Sequence, residues 1–438
     1  MTAGLANPIV EFFRCPEWFA DTEQWVRLSE ELAHSLATAW AQDILWRERS
    51  NAWLSSAGFA RFIRGLRYEH YEQAATDTTV GAIFLREMYY LIRPLLGVTV
   101  RRHLQRLAFR GWEKRAFPSW PVDRTVDRLH ETLLAAALKS KCVHRAPFIW
   151  FWPKGYRSCA LVTHDVETEA GLRFCPNLMD MDDAAEIKSS FQLVPEMRYD
   201  LSNGDLAGIR ARGFEVNIHD LNHDGHLFRD RELFRRRVVK INEYGQRFGA
   251  SGFRAGALYR NQDWYEWLDF SYDMSVPNVA HLDPQHGGCC TVFPYFVGNI
   301  LELPVTTTQD YSLFHVLGTY TTDLWRAQIS EIVQHHGLVH LITHPDYLME
   351  EPASQAYKQL LAYLNELRST QGLWITQPAE VNKWWRQRSR MRLVWRSDGW
   401  SIEGEGSEDA LLAYAELRDG QLSYCPALPT GARASGQC

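Results

Sequence analysis

Charged and imidazole side chains follow apolar runs at several points in the middle of this sequence. Each run has the length and composition of a buried strand, and a polar residue comes directly after it. In a (β/α) barrel, the carboxyl ends of the parallel strands share one face, and that face carries the active site. These strand ends therefore predict one reactive site, formed by His164-Asp165-Val166-Glu167, His219, Arg254, Asp273 and His344.

Two histidines, His219 and His223, have the spacing of metal ligands. A separation of four residues lets one helical turn direct both imidazoles at a single cation. Two imidazoles and one carboxylate leave coordination positions open, as catalytic zinc centres do. The pair therefore predicts a catalytic metal site, provided that a carboxylate lies nearby.

A carboxylate pair, Asp165 and Glu167, supplies the groups that such a site still lacks. Side chains two residues apart in an extended segment point the same way. One carboxylate can bind the cation while the other accepts a proton from the attacking water. The apolar run 160–163 leads directly into this pair, which favours a site over a surface loop.

The region around these motifs alternates between strand and helix patterns from Pro147 onward. This alternation predicts an α/β fold with a parallel sheet or a (β/α) barrel. The predicted strands are 160–163, 190–194, 214–218, 252–254, 270–272, 301–305 and 339–343, and the predicted helices are 204–212, 231–248, 262–268 and 321–336.

The segments on either side of this region have different patterns. A chain of 438 residues exceeds one ordinary hydrophobic core, so more than one domain is expected. Apolar residues keep helical spacing at 25–36, 61–73, 80–91 and 98–112, whereas short β-rich runs and turns follow residue 391. We therefore predict a helical N-terminal domain (1–146), the (β/α) barrel (147–390) and a small β module (391–438) that forms an antiparallel meander.

The order of the motifs resembles that of the polysaccharide deacetylase superfamily (carbohydrate esterase family four, the NodB-like group). The family pattern is a Thr-Phe-Asp-Asp type motif, His-Ser/Thr-x-x-His, Arg-x-Pro, an Asp-bearing segment and Leu-x-x-His. The resemblance covers about half the chain and implies a distorted (β/α) barrel. The matching segments are Thr163-His164-Asp165-Val166-Glu167, His219-Asp220-Leu221-Asn222-His223, Arg254-Ala255-Gly256, Tyr272-Asp273 and Leu341-Ile342-Thr343-His344.

The resemblance also implies a role for each residue of the site. Zinc is the expected metal, with cobalt or nickel as alternatives, because histidine and carboxylate ligands do not fix its identity. The implied roles are metal binding by Glu167, His219 and His223, general base catalysis by Asp165, which Arg254 orients, general acid catalysis by His344, which Asp273 positions, and oxyanion binding by a backbone N–H near Ala257.

The sequence departs from the family pattern at three places. Val166 stands where the commonest motif has its metal-binding Asp, and Glu167 fits a variant with the ligand two residues after the base. Asp220 replaces the usual Ser or Thr, and Ala255-Gly256 replaces the proline-containing turn. The metal carboxylate and the oxyanion turn are therefore the places where this chain differs most from the family.

The composition restricts partners and location. The 47 basic and 53 acidic residues give a net charge of −6, which argues against a nucleic-acid partner. The first residues lack the basic start of a secretory signal, and no apolar stretch reaches the ~20 residues that span a bilayer. Eight cysteines without a framework spacing indicate reduced thiols. We therefore expect a cytoplasmic protein without a transmembrane segment.

These observations predict a metal-dependent hydrolase that removes an N-acetyl or related acyl group from a sugar or glycan, in exopolysaccharide or surface-glycan biosynthesis. One alternative is an amidohydrolase acting on a non-carbohydrate amide such as a cyclic ureide. Another is a glycan-binding or assembly protein without catalysis. Iron(II) oxygenases also use two histidines and a carboxylate, but their double-sheet scaffold does not match the strand–helix alternation. The sequence predicts no particular protein partner.

Overall fold

The computed structural model describes residues 7–16, 56–72, 109 and 111–426. The chain forms two compact units, each built from separated stretches of sequence. The first comprises Met1–Arg67, Arg124–Tyr156 and Lys383–Cys438, and the second comprises Tyr68–Asp123 and Arg157–Asn382. The helical patterns at 25–36 and 80–91, and most of 98–112, lie outside the described residues. The division into domains 1–146, 147–390 and 391–438 stays a prediction.

Helices and strands alternate through most of the described chain. None of the described helices has both the length and the apolar character needed to cross a bilayer. The helices are α1 (Pro8–Phe13), α2 (Ser56–Arg67), α3 (Thr125–Ser140), α4 (Glu169–Ala184), α5 (Asn203–Ala211), α6 (Arg231–Phe248), α7 (Asp323–Gln334), α8 (Glu351–Gln371) and α9 (Pro378–Arg390). The strands are β1 (Arg145–Ile149), β2 (Ser158–Val166), β3 (Ser190–Leu193), β4 (Glu215–His219), β5 (Gly252–Arg254), β6 (Tyr272–Asp273), β7 (Tyr295–Val297), β8 (Ile300–Glu302), β9 (Leu338–Thr343), β10 (Leu373–Thr376), β11 (Arg392–Arg396), β12 (Gly399–Glu403), β13 (Leu412–Arg418) and β14 (Gln421–Pro426).

The second unit contains a curled, mostly parallel sheet, which confirms the predicted α/β fold and its distorted barrel. The strand order is β10-β2-β3-β4-β5-β6-β8-β7, and β9 also pairs with β2. Only β7 runs antiparallel to its neighbour. Beyond β8, the chain approaches β9: the His340 N–H donates to Thr306 Oγ1 at 2.8 Å, and the Thr307 N–H donates to the His340 carbonyl at 3.3 Å. These bonds bring the two ends of the sheet together.

Helix α6 illustrates why the sequence pattern located these elements. Asp230 caps its amino end by accepting a hydrogen bond from the Leu233 N–H at 2.8 Å. Gly249 ends it in a left-handed conformation, with φ of 57°. The buried face repeats every three or four residues, so it packs along one side of the helix. The predicted bounds 231–248 are therefore confirmed; the buried residues are Phe234, Val238, Ile241, Gly245 and Phe248.

The first unit corrects the prediction of a single meander after residue 391. Strands β1, β13 and β14 form an antiparallel sheet, and β11 pairs with β12 in a separate hairpin. In the three-stranded sheet, Arg145 lies opposite Glu416 and Ile149 lies opposite Leu412. The meander prediction is wrong because β13 takes its second partner from a distant part of the chain, which turn signals near residue 391 cannot reveal.

Candidate metal centre and active site

The structure brings Glu167, His219 and His223 together at the carboxyl ends of β2 and β4. One donor atom from each residue lies within 4.8 Å of the others. Glu167 Oε1 is 2.9 Å from His223 Nε2 and 3.6 Å from His219 Nε2. Because β2 and β4 flank β3 in the parallel sheet, their carboxyl ends meet on one face. The three predicted metal ligands therefore form one cluster.

The loop after β4 carries both histidines in a conformation that their spacing did not predict. His219 is the last residue of β4, and the residues from 220 to 223 form no helical turn. Asp220 and His223 adopt left-handed φ angles of 58° and 53°. Arg198 donates to the His223 carbonyl, and its Nη2 lies 3.2 Å from His223 Nδ1. The expected helical turn is therefore wrong: an irregular loop, held by Arg198, brings the two rings to a centroid distance of 4.8 Å.

The hydrogen bonds of His219 leave one ring nitrogen ready to bind a cation. Its Nδ1 lies 3.2 Å from the Arg254 carbonyl, so the proton is assigned to Nδ1 and the lone pair to Nε2. Nε2 is buried and has no hydrogen-bond partner in the described part of the chain. A buried nitrogen without a partner is costly unless a ligand satisfies it. His219, His223 and Glu167 therefore fit a divalent cation.

Glu167 is the anionic member of the cluster. Burial alone would raise the pKa of its carboxyl group, but His223, His219 and His344 hold that pKa well below its usual range. Oε1 also lies 3.3 Å from His344 Nε2. The predicted general acid, His344, therefore lies close to the same carboxylate oxygen as the two predicted histidine ligands.

Gly256 makes room for the loop that carries the two histidines. A Cβ atom at this position would lie 2.5 Å from Asp220 Oδ2 and 2.9 Å from His223 Cδ2. Contacts this short do not occur between real side chains, so the carboxylate or the imidazole would have to move. Asp220 is fully buried, and its Oδ1 accepts a hydrogen bond from the Leu221 N–H at 2.6 Å. The acidic residue in the loop therefore depends on the absence of a side chain at Gly256.

Replacing Gly256 by Ala is expected to weaken metal binding by about 10- to 100-fold, the range found when groups that support metal ligands are disturbed. The added methyl group displaces the ligand His223 itself or Asp220, which directly follows the ligand His219. Chelator competition measures the dissociation constant for zinc directly. Gly208→Ala is the matched control, because a Cβ at Gly208 meets nothing within 4 Å. Unchanged zinc affinity in Gly256→Ala would contradict this account of the loop.

Arg254 holds the predicted general base. It is fully buried, and its Nη1 donates to Asp165 Oδ1 at 2.6 Å and to Thr163 Oγ1 at 2.9 Å. Its Nε donates to the Met274 carbonyl at 2.9 Å. Burial raises the pKa of Asp165, but the charges of Arg254 and His219 outweigh it and leave that pKa below its usual value. Asp165 is therefore an ionised carboxylate in a fixed orientation, as a base must be.

His340 completes the surroundings of Arg254 and was not found by the sequence analysis. Its Nε2 lies 2.8 Å from Arg254 Nη2, and its Nδ1 lies 3.0 Å from the Leu303 carbonyl. Burial and the nearby Arg254 charge lower the pKa of His340 to about 3, so the ring is neutral and accepts a hydrogen bond from the guanidinium. The sequence did contain a signal for this role, namely a histidine inside an otherwise apolar predicted strand. Because buried polar residues need hydrogen-bond partners, such a histidine indicates a polar neighbour in the fold.

Asp310, rather than Asp273, holds the predicted general acid. His344 Nδ1 lies 2.6 Å from Asp310 Oδ1, and the His344 N–H donates to Asp310 Oδ2 at 2.7 Å. Burial lowers the pKa of His344, but Asp310 and Glu167 raise it well above its usual value overall. The carboxylate thus fixes the ring and favours its protonated form, with Nε2 turned towards Glu167.

Asp273 lies in a different hydrogen-bonded group. Its Oδ2 accepts from the Tyr265 hydroxyl and the Ser275 N–H, both at 2.9 Å, and its Oδ1 accepts from Ser275 Oγ at 2.8 Å. Among the described residues, no contact joins Asp273 to His344. The predicted contact between them is therefore corrected, because the Asp273 carboxylate is already occupied by its own loop.

The turn after β5 has the geometry expected near an oxyanion site. Ala257 and Leu258 both have φ of 53°, a strained left-handed conformation for residues other than glycine. The Leu258 N–H donates to the Ala255 carbonyl at 3.2 Å, but the described residues supply no acceptor for the Ala257 N–H. Ala257 is also partly exposed. Its N–H is therefore available for a substrate oxygen.

A buried ion pair between Arg260 and Glu69 stabilises this turn. Arg260 Nη1 donates to the Leu258 carbonyl at 2.8 Å, and Arg260 Nε donates to Glu69 Oε2 at 2.7 Å. Both charged residues are buried. Segment 68–72, which the sequence analysis assigned to a helical domain, thus contributes to the second unit close to the site.

Comparisons with known proteins gave the following matches. No family model and no curated protein matches the chain. A Mycobacterium smegmatis protein assigned as a polysaccharide deacetylase is similar in structure, with 18% identity and a TM-score of 0.42 over 54% of this chain and 93% of that one. The PuuE allantoinase is 14% identical, with a TM-score of 0.44 over 54% of this chain and 92% of its own. A family 4 acetyl xylan esterase from Clostridium thermocellum, solved with a cobalt ion, is 13% identical, with a TM-score of 0.36 over 52% and 91%.

Proposed function

We propose that this chain is a metal-dependent hydrolase that removes an N-acetyl or related acyl group from a sugar or glycan. The observation that carries the proposal is that a held base and a held acid both lie beside the ligand cluster. Arg254 fixes Asp165, which lies 3.7 Å from His219, and Asp310 fixes His344, which lies 3.3 Å from Glu167. Each of these groups serves amide hydrolysis, and a site that only binds glycan needs neither.

The bonds change in the following way. A water oxygen attacks the amide carbonyl while Asp165 accepts the proton of the water. His344 donates a proton to the nitrogen, the carbon–nitrogen bond breaks, and a carboxylic acid and an amine result. The Ala257 N–H stabilises the negative charge that develops on the carbonyl oxygen.

Glu167, His219 and His223 would hold the metal. A bound divalent cation would act as a Lewis acid towards the amide carbonyl and the attacking water. The donor set of two imidazoles and one carboxylate supports zinc, with cobalt or nickel as alternatives. The specific acyl group and sugar, and a role in cytoplasmic exopolysaccharide or surface-glycan biosynthesis, rest on the resemblance of the motifs.

Metal content is the first test of this function. The purified wild-type protein is expected to hold close to one zinc per chain, and the double variant His219→Ala/His223→Ala is expected to hold none. The buried His219 Nε2 has no other partner among the described residues, so losing both rings removes the site. His226→Ala is the matched control, since this histidine follows the same loop but its side chain is 38% exposed.

Acetate release then identifies the reaction. The zinc-loaded protein is expected to release acetate from at least one of a set of N-acetylated sugars, nucleotide-linked sugars and oligosaccharides. Bound zinc with no acetate release, but with turnover of a cyclic ureide such as allantoin, would replace the sugar by another amide. Absence of metal from wild type, even after reconstitution, would overturn the proposal altogether.

A further inference from the structure

Three aromatic rings, each with its centroid within 6.0 Å of the other two, lie beside the predicted general acid. The centroid of the Tyr347 ring is 4.8 Å from that of His344. His315 meets Tyr347 edge-on at 4.6 Å, and Tyr311 lies 6.0 Å from Tyr347. Tyr347, His315 and Tyr311 are each partly exposed, although they are large rings next to a buried site. We call these three residues the aromatic cluster.

Regular backbone segments carry Tyr347 and His315 of the aromatic cluster. Tyr347 belongs to a 3-10 turn, Pro345–Met349, that follows β9 directly. His315 belongs to a π-helix, Ser312–Leu317, and such helices occur frequently at functional sites. Phe314 of this π-helix is buried against Trp325 at 5.9 Å, which anchors the segment while His315 stays accessible. The exposed rings are therefore held in place rather than left on a loose loop.

The positions of the proposed base and acid determine which part of the substrate lies against these rings. Asp165 and the Ala257 N–H act on the water and the carbonyl oxygen, so the acyl group must lie on their side. His344 must face the nitrogen, since it supplies the proton that lets the amine leave. In an N-acetylated sugar that nitrogen stays attached to the sugar ring. The sugar must therefore lie next to His344, whose ring contacts Tyr347 of the aromatic cluster.

From this we infer that the aromatic cluster is the binding surface for the pyranose ring that bears the leaving amine. This inference rests on the proposed function and adds the residues that select the sugar. One face of a pyranose carries mostly C–H groups, which pack on an aromatic ring, while the Tyr hydroxyls and His315 Nε2 can bind its hydroxyl groups. Tyr347 provides the central contact because it touches both His344 and His315.

Binding of the two halves of the product separates this role from general damage. Isothermal titration of the zinc-loaded protein with a tetramer of glucosamine, and separately with acetate, measures each half alone. Tyr347→Ala is expected to weaken binding of the glucosamine tetramer by about tenfold and to leave acetate binding unchanged. Tyr347→Phe keeps the ring and is expected to bind the tetramer within about twofold of wild type. Tyr320→Ala is the matched control, because Tyr320 is 43% exposed and stacks on Phe314 outside the aromatic cluster.

Each other outcome overturns the inference. Unchanged binding of both ligands in Tyr347→Ala means that the sugar lies elsewhere. Equal loss of both means that Tyr347 only maintains the structure. A wild-type protein that binds acetate but not the tetramer means that the ring of the leaving amine is not a hexosamine ring. If wild type releases acetate from N-acetylglucosamine oligomers while Tyr347→Ala has the same KM, the proposed function survives and this inference alone fails.

Discussion

Replacing Asp165 by Asn is expected to lower kcat on an N-acetylated sugar by about 10²- to 10⁴-fold, the contribution typical of a positioned general base. Asparagine has nearly the same shape and still offers an oxygen to Arg254, which donates to Asp165 Oδ1 at 2.6 Å. It cannot accept the proton of the attacking water. The zinc content is expected to stay at the wild-type level, because Glu167, His219 and His223 form the ligand cluster without Asp165.

Two measurements make the Asp165→Asn result interpretable. Thermal unfolding checks the fold, since Arg254 is fully buried and loses its ionic partner in the variant. Asp183→Asn is a control for the loss of one carboxylate, because Asp183 pairs with Lys188 and Arg212 away from the cluster. An Asp165→Asn protein that holds zinc and keeps most of its turnover would remove Asp165 from the role of base.

The secondary structure of the second unit was predictable because its signals are local. Strand β5 was predicted at 252–254 and lies at Gly252–Arg254. Helix α6 was predicted at 231–248 and has these bounds, since a capping aspartate and a terminal glycine mark its ends. The predicted helix 262–268 is instead a 3-10 helix, Gln262–Trp267. Six residues give too few turns for apolar spacing to distinguish the two kinds of helix.

Elements that depend on distant partners were not predictable in the same way. Strand β10 joins the sheet through β2, with Leu373 opposite Ser158, yet its four residues carry no alternation of their own. Strand β1 pairs with β13 across most of the chain. Such pairings are decided by the whole fold, so a single sequence contains no local sign of them.

The residues of the candidate site also differ in whether a local sequence signal predicted them. Asp165 and His219 lie at the carboxyl ends of β2 and β4, and Glu167 and His344 directly follow β2 and β9, so the strand pattern was enough to bring them together. Asp310 comes eight residues after the end of β8 at Glu302, beyond the threonines at 306–308 that line the gap to β9. Nothing in its immediate sequence connects it to His344. Its role became visible only from the distance between the two side chains.

Two departures from the family pattern are explained by each other. The pattern has Ser or Thr where this chain has Asp220, and Pro where it has Gly256. A Cβ at residue 256 would lie 2.5 Å from Asp220 Oδ2, so the larger acidic side chain and a proline cannot occupy these positions together. A side chain at residue 256 would also meet His223, since the added Cβ would lie 2.9 Å from its Cδ2. The two changes are therefore sterically compatible with each other and with the position of His223.

Replacing Asp310 by Asn is expected to lower kcat on an N-acetylated sugar by about two orders of magnitude or more. The two carboxylate contacts of Asp310 fix His344, and its charge raises the pKa of that ring. Asparagine removes the charge and can present an N–H to Nδ1, so the ring loses both its orientation and its tendency to hold the donated proton. Zinc content is expected to stay unchanged, since Asp310 is not part of the ligand cluster.

The leaving group distinguishes positioning of the acid from general damage. An aryl acetate such as 4-nitrophenyl acetate releases a stable phenolate and needs no proton, so Asp310→Asn is expected to slow its hydrolysis by less than about tenfold. Asp273→Asn is the matched comparison, because Asp273 is equally buried but binds Tyr265 and Ser275 instead. Any loss in Asp273→Asn is expected to affect the amide and the aryl ester alike. The reverse pattern, a loss confined to amides in Asp273→Asn and absent from Asp310→Asn, would return the role to Asp273 and contradict the geometry of His344.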